Sequence, residues 1–211
     1  MRRLSEFIYW VSGWKVVGER EFPDKCLVVS APHTSNWDFV FGRCFTYIIG
    51  IAPKYLIKGE LFLPVLGTII KWNGGIPVYR NSRNNVVDQI RELFNSKEKC
   101  IIGISPEGTR KKVDSWKTGF YHIALKANVP IVLVKMDYKN KEVGIIYKLK
   151  PTGNMEEDFK IIQDQFKDIT GKFQKTTIQK YINIYPHPSD LPHLYNSFHT
   201  ITDHFHPKLY L

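Results

Sequence analysis

The stretch Leu27-Val28-Val29-Ser30-Ala31-Pro32-His33-Thr34-Ser35-Asn36-Trp37-Asp38 decides how this chain of 211 residues is read. A β-branched apolar run ends at a proline, turn-forming residues follow, and a second apolar run begins at Phe39. That order reads as strand, bend and helix. His33 and Asp38 would point well apart on a straight helix and to opposite faces on a strand. They can meet only if the backbone bends between them, and Pro32, Ser35 and Asn36 supply the bend as turn formers or helix N-caps. His33 is therefore expected at the end of a strand and Asp38 in the first turn of the next helix. A carboxylate placed there can accept the proton of one imidazole nitrogen and leave the other as a base. By itself, such a pair is more often a surface hydrogen bond than a catalytic dyad.

Outward from this stretch, short β-rich runs alternate with helical patterns. Strands are expected over Cys26–Ser30, Tyr55–Lys58, Ile76–Tyr79, Lys99–Ile104, Pro130–Met136 and Val143–Lys150. Helices are expected over Trp37–Ile49, Glu60–Trp72, Asn84–Ser96 and Trp116–Ala127. The alternation implies an α/β domain with a largely parallel, mixed sheet flanked by helices. The polar turn at Tyr138-Lys139-Asn140-Lys141 makes the last two strands an antiparallel hairpin. A further helix carries the stripe Met155, Phe159, Ile162, Phe166, Ile169 and Phe173, with Asn154 as N-cap and Glu157 placed to complete a capping box.

The length suits one well-cored domain. Within 1–211 we distinguish an amphipathic, membrane-facing segment (1–24), a motif-bearing core (25–150) and a C-terminal helix and tail (151–211). With 43% hydrophobic and 24% charged residues the chain is of the globular class. Thirty Lys+Arg against twenty Asp+Glu give a net charge of +10, which favours an anionic partner. No signature of a nucleic-acid-binding protein is present, so nucleic acid is not the expected partner. Near the N-terminus, Arg2, Arg3 and Lys15 bracket Phe7, Ile8, Tyr9, Trp10, Val11 and Trp14. This composition suits the headgroup boundary of a bilayer and equally suits packing on the protein's own core. The apolar run is too short to span a bilayer, and no signal-peptide cleavage site follows it. Cys26, Cys44 and Cys100 lack metal-ligand spacing and read as buried free thiols. Five histidines (His187, His193, His199, His204, His206) gather among prolines after Tyr185. Without carboxylate or cysteine partners at ligand spacing they read as a capping tail before a metal site.

Two further segments carry chemistry. Ser105-Pro106-Glu107-Gly108-Thr109-Arg110 follows an apolar strand, in the loop position where parallel sheets place their sites. It offers an acid, a flexible glycine, a hydroxyl and a guanidinium, suited to a phosphate and a polyol. Gly74-Gly75-Ile76-Pro77-Val78-Tyr79-Arg80 delivers a second arginine at a strand end, and Lys58 closes another strand. Lys58, Arg80 and Arg110 would together form an anion site on the rim that holds His33.

In order and spacing, His33-x4-Asp38, Lys58-Gly59-Glu60-Leu61, Gly75-Ile76-Pro77-Val78-x-Arg80, Pro106-Glu107-Gly108-Thr109-Arg110 and Val129-Pro130-Ile131-Val132 resemble the four motif blocks of the glycerolipid acyltransferases, the lysophosphatidic-acid acyltransferase-like superfamily. The resemblance covers roughly residues 25 to 150. It implies that His33 is the general base for an acceptor hydroxyl and that Asp38 orients it. It further implies that Lys58, Arg80, Glu107, Gly108, Thr109 and Arg110 hold the acceptor's phosphate and glycerol. The donor would be an acyl-CoA or acyl-carrier-protein thioester, with no metal and no other cofactor. The acyl chain would lie in an apolar groove, for which Phe39, Phe41, Leu61, Phe62 and Leu66 are the residues on hand. The expected activity is O-acylation of a lysophospholipid, foremost 1-acyl-glycerol-3-phosphate to phosphatidic acid, at the cytoplasmic face of a membrane by peripheral or monotopic contact. Another lysolipid or an amino-lipid acceptor, or a non-catalytic lipid-binding module, are the alternatives.

Overall fold

The computed structural model describes residues 1–78, 86–111, 113 and 115–173, with the side chains of Lys58 and Leu61 left aside. Arg80, Tyr79 and the histidine-bearing tail lie outside the described residues. In chain order the elements are α1 (Arg2–Ser12), β1 (Lys15–Val16), β2 (Lys25–Ala31), α2 (Trp37–Ile49), β3 (Lys54–Lys58), α3 (Pro64–Trp72) and β4 (Gly75–Val78). They continue with α4 (Val86–Asn95), β5 (Cys100–Ile104), α5 (Gly119–Ala127), β6 (Ile131–Asp137), β7 (Glu142–Leu149) and α6 (Met155–Phe166). The strands form one seven-stranded sheet in the order β1-β7-β6-β2-β5-β3-β4. β6, β2, β5, β3 and β4 run parallel to their neighbours, and β7 returns antiparallel to β6. This is the α/β fold with a mostly parallel mixed sheet that the alternating pattern implies.

Connection handedness sorts the helices. The steps β2→β3 and β3→β4 move one way across the sheet, and β4→β5 and β5→β6 move back. Right-handed crossovers therefore put α2 and α3 on one face and α4 and α5 on the other. The two cores agree. Leu27, Val29 and Ala31 pack with Val87, Phe94, Phe120 and Phe166 on one side. Cys26 packs with Tyr9, Trp14, Cys44 and Phe45 on the other. Successive β2 side chains alternate between these cores because strand side chains alternate faces. All three cysteines are buried and unbridged.

Several boundaries move for identifiable reasons. The helix expected from Glu60 begins only at Pro64, after a 3-10 turn at Gly59–Leu61. Proline has no N–H and suits the first helical position, not an interior one. The helix expected from Trp116 starts at Gly119 because the Lys117 N–H donates to Pro106 C=O instead (2.9 Å). In α6, Asn154 does accept from the Glu157 N–H, but the Asn154 N–H donates to Thr152 Oγ1, so no reciprocal capping box forms. That helix ends at Phe166, which leaves Ile169 and Phe173 beyond the stripe.

The N-terminal segment is a helix, and it divides its aromatic residues. Tyr9 and, just past it, Trp14 are buried, whereas Leu4, Phe7, Trp10 and Val11 are exposed. Gly13, at φ 74°, ends α1, and the Gly13 and Trp14 N–H groups donate back to Trp10 and Tyr9 carbonyls. Packing on the protein's own core thus accounts for Tyr9 and Trp14 and leaves the other aromatic and apolar residues of the segment at the surface. The short β1 that follows pairs with β7, an edge strand with too few residues to leave a pattern in the sequence.

Candidate active site

The loops that carry His33 and Glu107 leave the sheet at one edge, because β2 and β5 are parallel neighbours and each loop follows its strand. β2 ends at Ala31 and delivers His33, and its neighbour β5 ends at Ile104 and delivers Ser105 to Arg110. The Ala31–Pro32 peptide is cis. His33 and Asp38 then meet across the bend, with His33 Nδ1 at 3.1 Å from Asp38 Oδ2. The same Oδ2 accepts the backbone N–H of Thr34 (2.7 Å) and of Ser35 (2.8 Å). Ser35 Oγ accepts the Trp37 N–H and so caps the entry to α2. The Asn36 side chain does not cap. It accepts a hydrogen bond from the Arg110 guanidinium.

Asp38 is almost wholly buried, whereas about a third of the His33 side chain is exposed (31%). Burial alone would push the Asp38 carboxyl up. Hydrogen bonds from His33, Tyr138, Ser35 and Thr34 outweigh it and hold the group below the usual carboxylate range. An ionised carboxylate at this distance favours the tautomer that carries its proton on His33 Nδ1. Nε2 is then the ring nitrogen available as a base, with no hydrogen-bond partner among the described residues.

Two contacts tie the β5 loop to the β2 loop. Arg110 bonds Asn36, as above. Glu107 is fully buried, its Oε1 accepting the His33 backbone N–H (3.1 Å) and its Oε2 the Ser105 hydroxyl (2.5 Å). Burial raises its pKa above the ordinary value. The Glu107 carboxyl is thus turned inward beneath His33. Glu107→Gln keeps an acceptor for the His33 N–H and should leave stability nearly unchanged. Glu107→Ala leaves that partly buried N–H without its acceptor and should cost about 1–3 kcal/mol in urea unfolding. Equal losses in the two variants would show that these hydrogen bonds do not carry the effect.

Thr109 and Arg110 are exposed beside the dyad, and Gly108 (φ 62°) turns the loop between them and Glu107. Lys58 ends β3 opposite Val78, on the same edge. Its side chain, like Arg80, lies outside the described residues. The structure therefore brings His33, Asp38, Glu107, Gly108 and Arg110 together and describes the other two cations no further. Past α6, the chain crosses the dyad loop, where the Lys172 N–H donates to Thr34 Oγ1 (3.0 Å) and Lys172 Nζ sits over the Trp37 ring.

Behind the dyad a cavity of about 440 Å³ runs between α2 and the sheet. His33, Asp38, Ser105 and Gly108 line it at the loop edge, and Phe22, Ile51 and Pro53 line it toward the other edge. Its walls are mostly apolar, with Val28, Phe39, Phe45, Leu56 and Met136 among them. Of the groove residues expected from sequence, Phe39 is in this wall. Phe41, two positions on and so about 200° around the helix, stacks on Trp14 instead. Leu66 is exposed on α3, and Phe62 does not line the cavity. Sequence reasoning missed Tyr138, whose hydroxyl donates to Asp38 Oδ1 at 2.6 Å. Nothing near Asp38 in the sequence signals it, since it arrives from the β6–β7 turn by tertiary folding alone.

The profile of the Acyltransferase family matches residues 13–137, more than half of the chain, including the loops that carry His33, Asp38 and Glu107. The chain belongs to the Acyltransferase family. It is 28% identical over 123 residues to the 1-acyl-sn-glycerol-3-phosphate acyltransferase of Escherichia coli, covering 54% of this chain and 48% of that protein. A Haemophilus influenzae protein of the same name is 26% identical over 122 residues, with the same shares covered. The chain spans about half the length of the curated relatives it matches. Among solved structures, the 1-acyl-sn-glycerophosphate acyltransferase PlsC of Thermotoga maritima superposes with a TM-score of 0.55 at 22% identity, over 77% of this chain and 73% of that one. That likeness establishes the shared fold.

Proposed function

We propose that this acyltransferase-family chain transfers a fatty acyl group from a thioester to the hydroxyl of a lysophospholipid, with 1-acyl-glycerol-3-phosphate as the leading acceptor. The observation that carries the reading is the His33–Asp38 pair at the mouth of an apolar cavity. An alcohol is too weak an acid to attack a thioester unaided, and a positioned imidazole supplies the base without a covalent enzyme intermediate. His33 Nε2 takes the acceptor's hydroxyl proton as the oxygen bonds to the thioester carbonyl carbon. The tetrahedral adduct collapses with cleavage of the C–S bond, and the imidazolium returns its proton to the leaving thiolate. Ester and free thiol result. Asp38 stabilises the imidazolium while it exists. The cavity receives the acyl chain, whose size falls within the range of ligand pockets. Arg110, with Thr109, Lys58 and Arg80, binds the acceptor phosphate, and Glu107 acts from beneath by fixing the loop.

A bilayer surface supplies such a substrate, and the exposed apolar residues favour contact with one. Leu4, Phe7 and Trp10 on α1, Trp37 and Phe39 on α2, and Val65, Ile69 and Trp72 on α3 are all exposed. These three helices cover one face of the sheet, the face that holds the cavity. Apolar and aromatic side chains among cations suit an anionic headgroup layer. No helix among the described residues is long and apolar enough to cross a membrane.

The test is thiol release from acyl-CoA and from an acyl-carrier-protein thioester against a panel of lysolipids, with the acceptor free or in phosphatidylglycerol vesicles. Turnover should be fastest with 1-acyl-glycerol-3-phosphate. Arg110→Ala should raise the KM for that acceptor by about 10-fold or more, the loss of one charge-assisted hydrogen bond. Trp72→Glu should slow turnover of vesicle-borne acceptor alone. Turnover confined to another lysolipid or to an amino-lipid would correct the acceptor. Silence with both donors would favour a lipid-binding module.

A further inference from the structure

We propose that Tyr138 is a positioning residue for the dyad, its hydroxyl fixing one carboxylate oxygen of Asp38 so that the other stays aimed at His33. The inference rests on the reading of His33 as a base. Its geometric grounds are separate from that reading.

Asp38 Oδ2 is already held by His33 Nδ1 and by the N–H groups of Thr34 and Ser35. Those contacts fix the position of one oxygen but leave the carboxylate plane free to turn, because this terminal torsion is broad. Tyr138 removes that freedom by donating to Oδ1 at 2.6 Å. Without it, Oδ1 would be a charged oxygen in a buried site with no donor among the described residues, a costly arrangement. Turning Oδ1 toward water would relieve the cost and would carry Oδ2 away from the imidazole.

The phenol can serve as a fixed point because it is itself anchored on several sides. Its ring meets Trp14 edge to face, with centroids 4.9 Å apart and planes at 89°, and lies against Phe41 at 6.3 Å. Phe41 is held in turn by the Tyr9 hydroxyl, which donates to its carbonyl at 2.8 Å. The Tyr138 N–H donates to Thr170 C=O (2.8 Å), in the segment that crosses the dyad loop. Burial and the Asp38 charge raise the phenol's pKa well above its ordinary value, so the oxygen keeps its proton and remains a donor. The N-terminal segment, through Tyr9 and Trp14, thereby contributes to the geometry of a site whose own residues lie on other elements.

Tyr138→Phe removes the hydroxyl and keeps the ring contacts. Two readouts test it. Nitrogen-15 NMR of the His33 ring should show the Nδ1–H tautomer predominating in the unaltered protein and substantially depleted in Tyr138→Phe. In acyl transfer, kcat should fall about 10-fold, the scale of one hydrogen bond to a charged group, with both KM values within about two-fold. Tyr138→4-aminophenylalanine, which restores a donor on the same ring, should recover most of the loss in both measurements. An unchanged tautomer with unchanged kcat overturns the proposal. A loss that the amino variant does not recover assigns Tyr138 to packing and overturns it as well. A tautomer shift in a protein that transfers no acyl group would instead sustain the positioning role and reject the reaction.

Discussion

Replacing His33 with alanine is expected to lower acyl transfer by about 10²–10⁴-fold, the usual contribution of a positioned general base. The loss should fall on kcat, because in the proposed reaction the imidazole acts on the proton that moves in the transition state, while the acceptor phosphate is assigned to other groups on the rim. The fold should survive. The His33 side chain is partly exposed, and its backbone N–H, which carries the bond to Glu107, remains in the variant. Single-turnover kinetics beside thermal unfolding separate the two quantities. Wild-type turnover in a folded His33→Ala protein would remove this histidine from the chemistry.

Asp38→Asn is expected to affect both activity and stability. Once the amide oxygen faces the Thr34 and Ser35 N–H groups, the remaining NH₂ is a donor where Tyr138 also donates, and His33 Nδ1 faces a neutral group. The imidazole loses the charge that fixes its tautomer and stabilises its protonated form. In the hydrolase triad template the equivalent change costs about 10⁴-fold, and a loss of about 10³–10⁴-fold is expected here. Stability should fall by about 1–3 kcal/mol, the range for removing the charged partner of buried hydrogen bonds.

The pH dependence of that stability has a definite sign. The Asp38 pKa is lowered in the folded state. Its contribution is therefore present above the unfolded value of about 3.9 and disappears as pH falls through the folded value. Urea unfolding from pH 6 down to pH 3 should show the unaltered protein losing its margin over Asp38→Asn toward the acid end. A margin constant across that range would show that the Asp38 charge is not what stabilises the loop.

Much of this arrangement is legible in the chain because it is local. Leu27 to Ser30 reads as a strand, Pro32 to Asn36 as a bend and Phe39 onward as a helix, and these suffice to place His33 and Asp38 within hydrogen-bond reach. Alternation of strands and helices predicts parallel strands, and parallel strands put their following loops on one edge. The neighbourhood of the Glu107 loop and His33 is thus a consequence of topology. Proline at position 64 could have corrected one helix start, since its missing N–H is a local property.

Other features depend on which surfaces meet. The direction of the Glu107 carboxylate, inward to the N–H of His33 74 positions away, is set by the pairing of β2 with β5. Which side of α2 faces the cavity is set by the sheet beneath it, so Phe39 and Phe41 have the same composition and different surroundings. The division of the N-terminal aromatics into buried and exposed sets follows from the docking of α1 on α2. Tyr138 reaches Asp38 only because the β6–β7 turn closes beside the start of α2. By itself the sequence determined the strand–bend–helix unit, the parallel sheet edge and the groups gathered on it, because each follows from short-range periodicity, turn chemistry and connection rules. Only the tertiary structure decided the orientation of those groups, because the hydrogen bonds that aim a buried carboxylate come from strands and turns far apart in the chain.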